Sequence, residues 1–306
     1  MTPTAPIAIT GATGFVGQAV VEAAARQNIP LRALTRRDQP ATPGVTWVPG
    51  DLTDHTALAE LVRGCEAVLH IAGVVSAPDA AGFHAGNVAG TQAVLRATQD
   101  AGIARLICVS SLSAREPQLS LYGQSKQQAE QLVMATGLDW TIVRPPAVYG
   151  PRDREILELF RAARWGLVPM PPRGRTSVIH VDDLARLLLA LVPAGPLISG
   201  KIFEPDDGLA GCWDHQHLAR AIGHAVGRRV WAPNLPAWLL HAAARADGLL
   251  RGKGAKLTRD RVGYMIHPDW GCGTAFAVPP SIWQPQVETT AGLRATADWY
   301  RAQGWL

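Results

Sequence analysis

Thr10-Gly11-Ala12-Thr13-Gly14-Phe15-Val16-Gly17 is the stretch on which the fold turns. It follows an apolar run, Pro6–Thr10. It opens a segment in which Phe15, Val16, Ala19, Val20, Ala23 and Ala24 recur at the spacing of one helical face. Between a strand and an amphipathic helix the three glycines have separate duties. Gly11 permits the tight turn, Gly14 keeps a side chain away from an approaching pyrophosphate, and Gly17 lets the helix sit close on the sheet. The helix N-terminus then offers unpaired N–H groups and partial positive charge to phosphate oxygens. A turn that merely allows close packing is the competing reading; its place at the start of a strand–helix series argues against it.

Working outward, further apolar runs predict strands at Leu31–Thr35, Val45–Val48, Ala67–Ile71, Arg105–Ser110 and Trp140–Arg144, with helical patterns between them. Thr53 or Asp54 caps the helix through Leu58, Leu61 and Val62. Such alternation predicts an α/β protein with a doubly wound parallel Rossmann sheet covered on both faces. Pro145, Pro146 and Pro151 interrupt the pattern, and VPMPPRGR at 168–175 reads as an extended loop. Val178–Val181 reads as a strand and Asp182–Val192 as a helix. The expectation is a dinucleotide-binding domain over 1–150, to which 176–200 returns, and a smaller C-terminal substrate domain over 151–306.

The 306 residues are 47% apolar and 18% charged, which suits a packed core and excludes long disorder. No apolar run is long enough for a spanning helix, and Met1–Thr10 lacks the pattern of a secretory signal. Cys65, Cys108, Cys212 and Cys272 lie far apart and suit a reducing cytoplasm better than a disulfide framework or a zinc site. No histidine spacing matches a metal site, so none is expected, and His70, His180, His215 and His217 read as structural. A net charge of +4 gives no case for nucleic acid, yet residues 220–261 alone carry nine Lys/Arg against Asp247 and Asp260.

The second predicted strand ends in Thr35-Arg36-Arg37-Asp38. Two guanidinium groups suit a ribose 2′-phosphate, which favours NADP (as NADPH) over NAD; in the other reading the pair is solvated and Asp38 reaches the ribose. Tyr122-Gly123-Gln124-Ser125-Lys126 places a phenol and an ammonium on one helical face. The ammonium favours the phenolate, so Tyr122 is the candidate proton donor and Lys126 its tuner. Ser110-Ser111 at the end of the fifth strand supplies a hydroxyl, with Ser113 as fallback.

These pieces together resemble the short-chain dehydrogenase/reductase superfamily in its extended and atypical branches. TGATGFVG at 10–17 is similar to the extended form of the glycine motif, which implies cofactor contacts at Gly11, Thr13, Gly14, Phe15, Val16 and Gly17. Asp51-Leu52 resembles the pair that touches adenine, and His70-Ile71-Ala72-Gly73 the segment under the cofactor, with Ala72 and Gly73 as contacts. Asn87-Val88-Ala89-Gly90-Thr91 resembles the helix motif whose Asn braces the active site. Arg144–Pro151 resembles the segment beside the nicotinamide, with Pro145 and Val148 as contacts. His180-Val181-Asp182-Asp183 resembles the strand–helix return. The resemblance implies that Ser111 holds the substrate oxygen, that Ser110 lines the cofactor, and that Tyr122 and Lys126 serve both chemistry and cofactor. Tyr122 follows Ser111 by only eleven residues, a spacing closer to the atypical and hydroxysteroid-dehydrogenase-like members than to nucleotide-sugar enzymes.

The basic segment holds Trp231, Trp238, Leu239, Leu240, Leu249 and Leu250 among Arg245, Arg251, Lys253 and Lys256. It suits peripheral membrane contact through 231–256, a cover for a long apolar substrate, or an ordinary packed helix. The Trp-bearing tail, from Trp270 to Gly304-Trp305-Leu306, resembles bacterial reductases of keto-sphingolipid intermediates. The leading expectation is an NADPH-dependent ketoreductase of a hydrophobic small-molecule or lipid substrate, such as a keto-sphingolipid or oxidised ceramide. It would be cytoplasmic, associated with the membrane surface, and monomeric or homodimeric. The alternatives are a nucleotide-sugar epimerase or dehydratase with bound NAD, and a non-catalytic NADPH-binding assembly subunit such as the complex I accessory relatives.

Overall fold

The computed structural model describes residues 5–255 and 257–306, without the side chain of Lys253, so Lys256 of the basic segment lies outside the described residues. In chain order the strands are β1 (Ile7–Thr10), β2 (Leu31–Thr35), β3 (Val45–Pro49), β4 (Ala67–His70), β5 (Arg105–Val109), β6 (Asp139–Val143), β7 (Ala147–Tyr149), β8 (Arg175–Thr176), β9 (Val178–His180), β10 (Lys201–Phe203), β11 (Trp213–Asp214) and β12 (Asp269–Trp270). The α-helices are α1 (Phe15–Arg26), α2 (His55–Val62), α3 (Ala80–Phe83), α4 (Gly90–Asp100), α5 (Leu121–Met134), α6 (Leu157–Arg164), α7 (Val181–Ala190), α8 (His215–Ala225), α9 (Ala237–Arg251), α10 (Arg259–Met265) and α11 (Thr289–Ala302).

Among the described residues the main sheet has seven strands in the order β10-β6-β5-β4-β1-β2-β3, every pair parallel. The winding reverses between β1 and β4, and the crevice outside the carboxyl ends of such strands is where doubly wound folds take ligands. β1, β4 and β5 are buried at every position, as strands covered on both faces must be. Leu58, Leu61, Val94, Leu106 and Ile142 fill the core on one face. Asp54 caps α2 by accepting from Ala57 N.

The chain divides into two compact units, 1–145 with 182–205 and 276–284, and 146–181 with 206–275 and 285–306. The first unit thus stops at Pro145 rather than 150, because β7 pairs with β9 and not with the main sheet. The return runs over 182–205 and supplies α7 and the edge strand β10. Residues 276–284, expected in the second domain, also belong to the first unit: Phe276 O accepts from Glu204 N at 2.8 Å, and Trp283 Nε1 donates to Asp183 O at 3.1 Å. The second unit packs Phe160, Leu218, Ile222, Leu293 and Tyr300 from α6, α8 and α11, with a smaller cluster of Leu240, Ala244 and Val262 beside it.

Candidate active site

The glycine turn is built by exclusion. Gly11 has φ +78°, and a Cβ there would stand 2.7 Å from Ala72 N; a Cβ on Gly17 would stand 2.0 Å from Gly11 O. No larger residue fits either place, so α1 starts directly against β1. Thr13 and Gly14 are exposed and Phe15 and Val16 half-buried, which leaves the N-terminus of α1 open. Past β2, Arg36 and Arg37 are exposed and, among the described residues, neither is ion-paired. Thr35 Oγ1 donates to Arg37 O at 2.6 Å and sets that turn. Asp51 accepts from Thr53 Oγ1 at 2.6 Å and Thr53 N at 2.8 Å, and these bonds hold its carboxyl below the usual range, with a smaller pull from Arg36. Leu52 is half-buried, its Cδ1 2.7 Å from where a Cβ on Gly90 would lie.

Beneath the turn runs a directed chain of hydrogen bonds. Ala72 N donates to Thr10 Oγ1 at 3.3 Å, and Thr91 Oγ1 donates to Asn87 O at 2.6 Å. Thr91 must then accept from His70 Nε2, 3.0 Å away, which leaves Nδ1 to accept from Thr10 Oγ1 at 2.7 Å. His70 is therefore a neutral Nε2–H tautomer, and burial, reinforced by the charge of Lys126, lowers its pKa to about 3. It is a structural pin tying β1 and β4 to the helix above.

Asn87 lies in a π-helical segment, His84–Ala89, a local overwinding that recurs at functional sites. Its buried amide accepts from Val74 N at 2.7 Å and donates to Val74 O at 2.9 Å and to Ser125 Oγ at 2.8 Å. Ser125 in turn donates to Tyr122 O at 2.8 Å, so Asn87 braces the first turn of α5. That turn starts at Ser120, whose hydroxyl accepts from Gly123 N at 2.9 Å. Tyr122 is half-buried with its ring 6.1 Å from that of Phe83. Lys126 is buried, and its Nζ donates to Val109 O at 3.0 Å. Burial lowers its pKa, opposed by Cys108 and Glu130. A Cβ on Gly73 would lie 3.1 Å from Asn87 Oδ1 and 3.2 Å from Lys126 Nζ, so these three residues share one spot.

The two serines differ. Ser110 Oγ is buried and, among the described residues, has no hydrogen-bond partner. Ser111 Oγ caps the 3-10 turn Leu112–Arg115, accepting from Ser113 N at 3.2 Å and donating to Ser113 Oγ at 3.2 Å. Pro145 O accepts from Leu112 N at 3.0 Å and fixes that turn to the end of β6. Val148 lies on β7, in the second unit. Sequence reasoning passed over Thr10, Thr91, Phe83 and Ser125. It also passed over Glu130, which stands one turn beyond Lys126 and takes a two-bond grip on Arg144 at 2.8 and 2.6 Å. Arg144 also meets Glu204 at 3.4 Å, and Glu204 meets Arg115 at 3.3 Å, so the buried carboxylates behind α5 are paired.

The residues present fit a dinucleotide: an open helix N-terminus, two exposed guanidiniums past β2, and an orphaned buried hydroxyl at the carboxyl end of β5. Comparison with known proteins agrees. Residues 11–193 match the NAD(P)H-binding family. The chain is 37% identical to the ceramide reductase of Caulobacter vibrioides over 98% of this chain and 96% of that protein. It is 31% identical to the 4-hydroxy-2-methyl-3-oxo-4-farnesyl-3,4-dihydroquinoline-1-oxide ketoreductase of Stigmatella aurantiaca, over 65% of this chain and 67% of that one. The structure of MoeE5 in complex with UDP-glucose and NAD superposes with a TM-score of 0.76 and 20% identity, covering 97% of this chain and 99% of that one. At that identity it speaks to the fold alone.

Proposed function

The chain belongs to the NAD(P)H-binding family, as a reductase of the short-chain dehydrogenase type, and from this premise we propose that it reduces a carbonyl of a hydrophobic substrate, a keto-sphingolipid or oxidised ceramide, with NADPH. The observation that carries the reading is the buried Lys126, one helical turn from Tyr122 and set against Asn87, Gly73 and the strand end bearing the orphaned Ser110 hydroxyl. The full-length likeness to a ceramide reductase supports the substrate class.

NADPH, when bound, supplies the hydride. Gly11, Thr13, Gly14, Phe15, Val16 and Gly17 would hold its phosphates, Arg36 and Arg37 the 2′-phosphate, and Asp51 and Leu52 the adenine. Ala72, Gly73, Asn87, Ser110 and Pro145 would border the nicotinamide half. Ser111 would donate a hydrogen bond to the carbonyl oxygen, and Tyr122 would hand its phenolic proton to that oxygen as negative charge develops there. The Lys126 ammonium would steady the phenolic oxygen after the proton leaves. A keto-lipid must be met at a bilayer, so a cytoplasmic enzyme that touches lipid through 231–256 is part of the reading.

The test is a titration of the purified chain with NADPH and with NADH, followed by cofactor oxidation with a panel of keto-lipids and short-chain ketones. NADPH is expected to bind at least about tenfold more tightly, a charge-assisted preference of about 1.4 kcal/mol that R36Q/R37Q abolishes. Equal affinities, or turnover confined to small polar ketones, would overturn the cofactor and substrate assignments respectively.

A further inference from the structure

Two apolar surfaces of the second unit face outward. α9 fully buries Leu240 and Ala244, while on its opposite side Trp238 is 70% exposed and Leu249 88%, with Ala242 and Arg245 between them at steps of four and three residues. Leu250 is 85% exposed. An amphipathic helix ordinarily turns its apolar stripe inward; this one presents Trp and Leu to the outside with Arg among them. The second surface centres on Trp231, 71% exposed, which pairs in register with the exposed Leu167, and on Trp165, 88% exposed. Beside Trp165 opens a cavity of about 450 Å³ lined by Arg164, Arg228 and Arg301 with Val226 and Leu306. Arg301 is shared with Asp298 at 2.6 Å, whereas Arg164 and Arg228 make no ion pair among the described residues.

We propose that the second unit docks on an anionic phospholipid bilayer. Trp165 and Trp231 enter the headgroup boundary, and a lipid phosphate is taken between Arg164, Arg228 and Arg301. The proposal rests on the keto-lipid reading and deepens it by naming the surface from which substrate arrives. Charge selects the occupant. A second copy seated on the same face by a two-fold axis would bring these arginines against one another, whereas a sheet of phosphates neutralises them. Tryptophan is the residue that the headgroup boundary favours, its ring apolar and its N–H able to stay hydrated.

The experiment is sedimentation of the full chain with vesicles of phosphatidylcholine, alone or mixed with phosphatidylglycerol. Wild type is expected to bind the mixed vesicles at least about tenfold more tightly than the neutral ones, an advantage that falls as salt rises. W165S/W231S should lose binding to both vesicles, and R164Q/R228Q should lose the preference for phosphatidylglycerol, each with an unchanged circular dichroism spectrum. Indifference to lipid charge, variants that bind like wild type, or a dimer by light scattering with no vesicle binding would each overturn the proposal. So would binding of inorganic phosphate at Arg164 and Arg228 without vesicle binding. Turnover on a monomeric short-chain keto-lipid, which both variants should retain, separates the two ideas. Its absence in wild type defeats the substrate reading, while its presence without vesicle binding defeats only the docking.

Discussion

Tyr122 and Lys126 sit on one face of α5, yet their environments differ, the phenol half-buried and the amine buried. A group that passes protons, the role proposed for Tyr122, needs access to substrate, and one that steadies charge, the role proposed for Lys126, needs fixity, which Lys126 obtains from Val109 O. Y122F should therefore lower turnover by about 10²–10⁴-fold while leaving NADPH affinity within about twofold, read by steady-state kinetics beside a fluorescence titration. Unimpaired turnover would remove the phenol from the chemistry. This pair was legible because a four-residue step is itself a geometric statement. The serines were less so: at a strand end, neighbouring side chains point to opposite faces, and sequence cannot say which one meets a partner. The structure leaves Ser110 orphaned and turns Ser111 toward Ser113. Nor could sequence show that Asn87 would spend its amide on Val74, because that contact depends on a loop path with no periodicity.

At the scale of elements, the most consequential join is the hydrogen-bonded chain through His70, which spans β1, β4, α4 and, through Thr91, the π-helical segment before it. Its linkage to pH has a definite sign. His70 is held neutral, with a folded pKa of about 3 against an ordinary value of 6.5, so the unfolded chain binds more protons between those values. The stability that this buried imidazole contributes is present above pH 6.5 and is lost as pH falls through the window, by up to about 1.4 kcal/mol per unit. Urea unfolding at pH 7 and pH 5 should show the loss in wild type and a shallower one in H70Q; equal slopes would mean the imidazole titrates freely. The first six strands were legible to within a residue or two because each is a short, mostly apolar run set between turn residues and helical patterns. β10 was not, since Lys201–Phe203 is three residues long and opens on a lysine, too short to carry a pattern. The π-helical turn was equally hidden, one overwound step inside an ordinary helical stretch.

Across the whole molecule the two units answer acid differently. In the second, Asp153 accepts from Glu155 N at 2.8 Å and Ile156 N at 2.9 Å, and its backbone carbonyl receives the hydroxyl of the buried Tyr300 at 2.9 Å. Burial outweighs those donors and raises the Asp153 pKa from 3.8 to about 6. A carboxyl that prefers its proton when folded favours the fold below pH 3.8, and this contribution is lost as pH climbs through 6, by up to about 3 kcal/mol. Between pH 7 and pH 5 this gain on acidification offsets part of the loss at His70, so D153N should expose that loss, and thermal melts at pH 5 and pH 7 should lie further apart in the variant than in wild type; an unchanged gap would assign the pH dependence elsewhere. The larger plan, an α/β sheet followed by a smaller unit, was legible from the alternation and its end at the prolines. The interleaving was not, because residues 276–284 rejoin the first unit through a backbone bond at Glu204 and an indole bond at Asp183, and neither leaves a mark in composition.

That rejoining bears on how the chain is made. A ribosome emits residues in order, at about 5–20 per second, and a nascent domain closes when its last piece emerges. Here the final piece of the nucleotide-binding half is residue 284, after most of its neighbour has been translated and with only 285–306 of it to come. Neither half exists as a continuous stretch of message: a gene cut at 145 leaves the first half without 182–205 and 276–284, and one cut at 205 leaves both halves incomplete. The expectation for synthesis is a late, concerted closure of both halves rather than a finished N-terminal domain waiting for its companion.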